Sequence, residues 1–287
     1  RVIVREGRQT ELAVGQTGSF HAPRLIVTAT PPPRTMLGKR HARLVLDQLL
    51  GLRIDLNGWY HTAAGDARLR SLADTFRGMK PPRFPTLFEA LVNAFACQQL
   101  SLEVGLELLN RLATIASARF GTQRDSRYGF PTAHDVARLE PEQYRAIGFS
   151  HQKVRALLGL ARAVVRRELD LESIEGEDDS VVRQRLLELR GVGRWTSDYV
   201  LLRGLGRLHV FPGDDVGAQK RLARWLGRSR SLDYSGVRRA VERWQPYAGV
   251  VYFHLLLDGL AQAGALSRDP ESTSNGSIIE ASRPTLG

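Results

Sequence analysis

The sequence of 287 residues contains a single cysteine, Cys97. One thiol excludes an intrachain disulfide and a four-cysteine iron–sulfur cluster. No apolar run approaches the ~18 residues that a transmembrane helix needs, so no membrane association is expected. The chain opens at Arg1 without a basic-then-apolar leader, so secretion is not expected either. Internal repeats are absent. Lysine is scarce: Lys39, Lys80, Lys153 and Lys220 are the whole set among 41 basic residues. Acidic residues are too few to balance the bases, leaving a formal charge of +11. Such an excess suits a polyanionic partner, and arginine makes bidentate contacts to phosphate. An apolar fraction of 43% supports an ordinary packed core, and the length allows two domains.

Residues 1–78 read as a small α+β unit. Val2-Ile3-Val4, Glu11-Leu12-Ala13-Val14 and Leu25–Thr30 are strand-like, punctuated by Gly15, Gly18 and Pro31-Pro32-Pro33. Helical spacing of Ala42, Val45, Leu46, Leu49 and Leu50 follows from about Arg40, and residues 55–76 predict two short helices bridging the domains. The proline-rich segment Gly78–Pro85 cannot be helix and reads as a linker or an interdomain turn. Residues 79–266 are helical almost throughout. Thr86 and Glu89 predict a capping box, and this helix ends near Gln98-Gln99-Leu100-Ser101. The arginines of the helix that begins at His151 predict a solvated face, and His254 on an apolar helix predicts a core histidine. Residues 267–287 are polar and are expected to be a disordered tail.

The most informative stretch runs from Leu186 to Lys220. Leu186, Leu187 and Leu189 give the end of a helix an apolar side. Arg190-Gly191-Val192-Gly193 forms a tight turn, and a second helix follows over about Arg194–Arg203. Pro212-Gly213-Asp214-Asp215 then opens a third helix. Two glycines let the chain reverse without a Cβ clash and leave bare N–H groups at a helix N-terminus, a seat for phosphate.

The segment Leu189–Arg194, Trp195-x-x-x-Tyr199 and Val210-Phe211-Pro212-x-Asp214-Asp215 stand in one register. Together they resemble the helix-hairpin-helix DNA glycosylases, and the AlkA type in particular, over about Pro81–Leu260. The resemblance implies a mostly α, two-lobed helical core with a small N-terminal antiparallel sheet and helices. It implies cleavage of the bond between an alkylated purine and its sugar in double-stranded damaged DNA, by a monomer at the nucleoid or in the nucleus. The base must leave the stack to be reached.

Residue by residue, the resemblance assigns Asp215 as the catalytic carboxylate, with Asp214 as the alternative. An ionised carboxylate stabilises a cationic sugar and activates water. Asp is also a favoured N-cap, and the helix N-terminus favours its charged form. Trp195 and Tyr199, four apart on one helix face, form the base pocket together with Leu256. A cationic base over such rings gains about 0.5–2 kcal/mol. Gln98, Gln99, Arg190, Gly191, Gly193, Arg194 and Thr196 fall at DNA-contacting positions, with Gln99 matching the side chain that fills the vacated stack. No cofactor is required for the chemistry, and a Na+ or K+ at the hairpin carbonyls is implied.

Members that also nick the strand carry a lysine where this chain has Trp195, and no lysine lies between Lys153 and Lys220. A monofunctional enzyme is therefore expected. The branch that carries an iron–sulfur cluster is excluded by the cysteine count. Two departures stand out: Ala248 where the family has arginine, and Leu256 where an aromatic is usual. Two alternatives stay open: a glycosylase for oxidised or deaminated bases, and a non-catalytic DNA-binding protein in which Asp215 only caps.

Overall fold

The structure is a computed structural model and describes residues 1–5, 8–19, 22–117, 119–121 and 127–266. The polar segment 267–287 lies outside them. A three-stranded antiparallel sheet is built from β1 (Val2–Arg5), β2 (Arg8–Ser19) and β3 (Ala22–Thr30), in sequence order. Leu12 pairs with Ala29 and packs on Ala42 and Leu46 of α1 (Met36–Leu49). Gly15 does not interrupt β2: it pairs with Ile26, and Gly18 pairs with Pro23, so the hairpin runs on to Ser19. The helix that follows starts at Met36, ahead of the expected Arg40, because the Thr35 hydroxyl accepts from the Gly38 N–H and fixes its first turn.

Eleven of the remaining helices form two cores. The first contains α4 (Leu87–Cys97), α5 (Leu102–Ala116), α6 (Ala133–Ala137), α7 (Pro141–Ala146), α8 (His151–Val165) and α9 (Asp179–Leu187). The second is made by α2 (Asn57–Ala64) and α3 (Ala67–Thr75) packed against α11 (Val216–Trp225), α12 (Tyr234–Val241) and α13 (Ala248–Gln262). Thus Trp59 and Leu69 share a core with Trp244 and Phe253, far away in sequence. Between the cores lies α10 (Arg194–Arg203), which gives Val200 and Leu201 to the first and Leu202 to the second. Burial on both sides fixes α10 in place, and with it the turn at its N-terminus. The linker is stitched to its other end: the Phe84 N–H donates to the Arg203 carbonyl at 2.8 Å, and Arg83 donates to the Gly204 carbonyl at 2.8 and 3.1 Å. A short ladder, β4 (Arg119–Phe120) with β5 (Arg127–Tyr128), flanks α5.

The expected capping box at α4 is half formed. Thr86 accepts from the Glu89 N–H at 3.1 Å, but the Glu89 carboxylate turns to the Arg1 guanidinium at 2.5 and 2.6 Å. No helix among the described residues is long and apolar enough to cross a membrane.

His254 is 1% exposed, with its ring 4.9 Å from that of Trp59 and its Nδ1–H donating to the Val250 carbonyl at 2.9 Å. Burial pushes its pKa down to about 4. The unfolded chain regains the ordinary value of about 6.5 and takes up the proton first, so stability is full above that value and is lost as pH falls toward 4. His254 alone should therefore cost about 2 kcal/mol between pH 7 and pH 4.5. Urea unfolding at the two pH values should show a smaller acid loss in His254→Leu than in the parent. Equal losses would mean that His254 is not the group titrating.

Candidate active site

The turn between α9 and α10 is held from below. Gly191 has φ +86°, and a Cβ there would sit 2.8 Å from the Ala156 methyl, so this position requires glycine twice over. Gly193 does not need it for the reversal, contrary to the pattern expected from sequence. Its backbone is extended, and a Cβ would meet nothing within 4 Å. What glycine provides at 193 is a bare surface. It is the N-cap of α10 and no side chain caps the helix, so the first-turn N–H groups stay available to an anion. Arg190 and Arg194 are exposed beside it, whereas Leu187, expected on the apolar side of α9, is 51% exposed.

Gln98 and Thr196 do not present their side chains outward as the sequence pattern predicts. Thr196 is 1% exposed, and its hydroxyl accepts from Gln98 Nε2 at 2.8 Å. The same Nε2 donates to the Gly191 carbonyl at 2.9 Å. Gln98 therefore braces the hairpin from the end of α4. It is braced in turn by Lys153, whose ammonium donates to the Ala96 and Gln98 carbonyls at 2.7 and 2.9 Å. Burial lowers the pKa of Lys153. Next in the chain, Gln99 is exposed and has φ +57°, a left-handed conformation that is uncommon outside glycine. The brace behind it holds that conformation in place. Replacing Gln98 by alanine strands the Gly191 carbonyl and the Thr196 hydroxyl, and should destabilise the fold by about 1–3 kcal/mol. Thermal unfolding checks the loss, and faster amide exchange at Val192–Arg194 would locate it at the hairpin.

Trp195 and Tyr199 stack as their spacing predicts, with centroids 5.2 Å apart and planes at 26°. The Tyr199 hydroxyl donates to Asn93 Oδ1 at 2.7 Å, and burial pushes its pKa up to about 12. Arg203, one turn further, continues the same helix face, with its guanidinium 5.0 Å from the Phe84 ring centroid and 5.2 Å from that of Phe253.

The two aspartates have separate fates. Asp214 is engaged on the outside by Arg194, at 2.5 and 3.1 Å, and that guanidinium also lies 4.0 Å over the Tyr234 ring. Asp215 turns inward. Its Oδ1 accepts from the Ala218 N–H at 2.7 Å, capping α11, and its Oδ2 accepts from the Tyr252 hydroxyl at 3.0 Å. Arg221 is 4.0 Å away. Tyr199 feels the charge of Asp215 as well, a small contribution beside that of burial. Leu256 is half-buried one turn beyond Tyr252, on the same face of α13. Tyr252 and Asn93 were not expected from sequence. A signal for Tyr252 existed: it is the one hydroxyl on α13, in the apolar first half of that helix and four residues before Leu256. Among the described residues no group of three or more His, Cys, Asp or Glu side chains could hold a metal ion.

The profile of the HhH-GPD superfamily of base excision DNA repair proteins matches residues 92–246, more than half of the chain and all of the hairpin. The chain belongs to the HhH-GPD superfamily. Among similar members, the DNA-3-methyladenine glycosylase of Bacillus subtilis (strain 168) is 28% identical over 70% of this chain and 68% of that protein. DNA-3-methyladenine glycosylase 2 of Escherichia coli (strain K12) is 28% identical over 62% of this chain and 60% of that protein. Among solved HhH-GPD structures, the 3-methyladenine DNA-glycosylase from Archaeoglobus fulgidus superposes with a TM-score of 0.78 at 26% identity, covering 93% of this chain and 88% of that one. The likeness extends through the N-terminal sheet, where sequence resemblance is loose.

Proposed function

We propose that the protein is a monofunctional DNA glycosylase that turns an alkylated purine out of double-stranded DNA and hydrolyses its bond to C1′. The observation that carries this is Asp215, a carboxylate held by two neutral donors at the start of the helix that follows the one bearing the stacked Trp195–Tyr199 pair. Around it each task of the reaction has an occupant. The uncapped N–H groups of α10 and exposed Arg190 hold the strand by its phosphates. Gln99 fills the gap in the stack. The extruded base lies against Trp195, where a positive ring gains about 0.5–2 kcal/mol from the indole face.

As the C1′–N bond lengthens, its electron pair leaves with the base. An alkylated cationic purine thereby departs neutral. The sugar becomes cationic, and the fixed negative charge of Asp215 stabilises it. Water then attacks C1′ and gives a proton to Asp215, leaving a free base and an abasic site. Trp195 stands where a lyase would need an amine, so the strand stays intact. The Leu189 and Gly191 carbonyls each accept one hydrogen bond and keep a second lone pair. They are the groups that would hold a Na+ or K+, which would add positive charge behind the phosphate seat.

A panel of duplexes carrying 3-methyladenine, 7-methylguanine, hypoxanthine, ethenoadenine or 8-oxoguanine tests the substrate class by single-turnover release. Faster release of the alkylated purines is expected. Release confined to oxidised or deaminated bases would overturn that class while leaving a glycosylase, and tight binding without any release would leave a DNA-binding module.

A further inference from the structure

The carboxylate of Asp215 needs only one oxygen to cap α11. The other would be free to rotate or to take up water, yet it is held by Tyr252 from a different helix. Nothing in the helix-hairpin-helix pattern calls for that contact. Tyr252 itself has little choice of aim. It is 6% exposed, and its ring is wedged edge-on between Phe211 at 5.4 Å and Phe253 at 5.8 Å. A buried phenol requires an acceptor, and the one it finds is Asp215 Oδ2.

We propose that Tyr252 is the positioning residue for Asp215: its hydroxyl and the Ala218 N–H pin one oxygen each, and so orient the carboxylate toward C1′ without neutralising it. This rests on the glycosylase reading above. The neutrality of the donor is what matters. A guanidinium in the same place would orient the carboxylate equally well, but it would cancel the charge that the cationic sugar needs. Asp214 illustrates that outcome, bound directly by Arg194. Arg221 stays 4.0 Å from Asp215, beyond hydrogen-bond range, and its buried Nε has no partner. Burial and then the charge of Asp215 push the pKa of Tyr252 well above 10, which keeps the hydroxyl protonated as a permanent donor. Arg221 on its own helix and Tyr252 on α13 are the charged or titratable side chains that contact Asp215, and the charges of Tyr199 and Arg203 on α10 act on Tyr252.

The test compares the full chain with Tyr252→Phe and Arg221→Met on a methylated duplex, following kcat and KM separately. Tyr252→Phe keeps both ring contacts, so its melting temperature should stay close to that of the parent. Losing a hydrogen bond to a charged acceptor should lower kcat roughly ten- to a hundredfold with KM unchanged. Arg221→Met should change kcat less than Tyr252→Phe does. A Tyr252→Phe enzyme with the parent's kcat, or one whose loss lies in KM alone, would overturn the proposal, as would a larger loss in Arg221→Met. A parent that releases no base would instead overturn the glycosylase reading on which it rests.

Discussion

Asp215→Asn should slow base release by about 10³-fold, the scale set by removing one electrostatic stabiliser of a developing charge. The change should leave the fold almost untouched. Asparagine is as good an N-cap as aspartate, so the bond from the Ala218 N–H that starts α11 survives, and the amide nitrogen that replaces the other oxygen can donate to the Tyr252 phenol oxygen. DNA affinity should hold or rise slightly, since a negative charge near the backbone is gone. Asp214→Asn is the matched control. Its carboxylate faces Arg194 at the surface, so release should change by no more than a few-fold. Single-turnover kinetics on both variants separates the aspartates. Equal losses would mean that the inward turn of Asp215 has no chemical consequence.

Trp195→Ala should also lose much of the activity, because it removes one face of the proposed base pocket. Stacking a base on an aromatic ring contributes about 1–3 kcal/mol, so kcat/KM should fall about ten- to a hundredfold. The fall should be steeper for cationic 3-methyladenine than for neutral hypoxanthine, because the cation–π share, about 0.5–2 kcal/mol, is lost only for the first. Equal losses for both would make Trp195 a shape-filling residue. Tyr199 cannot substitute, because its hydroxyl is tied to Asn93 and its ring already lies beneath the indole.

Much of this was legible in the sequence because it is local. The turn, the limits of α10, the Asp215 cap and the i, i+4 ring pair all lie within the short stretch Leu186–Lys220, and local stereochemistry determines them. What escaped is long-range. Tyr252 reaches Asp215 across 37 positions, Gln98 reaches Gly191 across 93, and Tyr199 reaches Asn93 across 106. Packing creates those pairs, and periodicity within one chain carries no record of which helices face each other. Gln98 and Thr196 illustrate the consequence: polar side chains beside the hairpin turn read as ligand contacts, and they hydrogen-bond to each other.

The departure at Ala248 also becomes intelligible. Ala248 is 0% exposed in the first turn of α13, where an arginine would be buried with no space for its charge. The long glycine-bearing hairpin of β2 and β3 misled in the other direction. Gly15 reads as punctuation but lies within a continuous ladder, where the register with Ile26 overrides its weak strand propensity.

The proposed reaction is hydrolysis of a damaged base from DNA, with the strand left whole. Its most direct test is to incubate the full chain with a methylated duplex, separate the free base by chromatography, and resolve the strand with and without hot alkali. The account predicts released 3-methyladenine, an intact strand before alkali, and a break at the modified position afterwards. Breaks without alkali would contradict the role of Trp195 and demand an amine nucleophile. No released base, with the duplex still bound, would contradict the account as a whole.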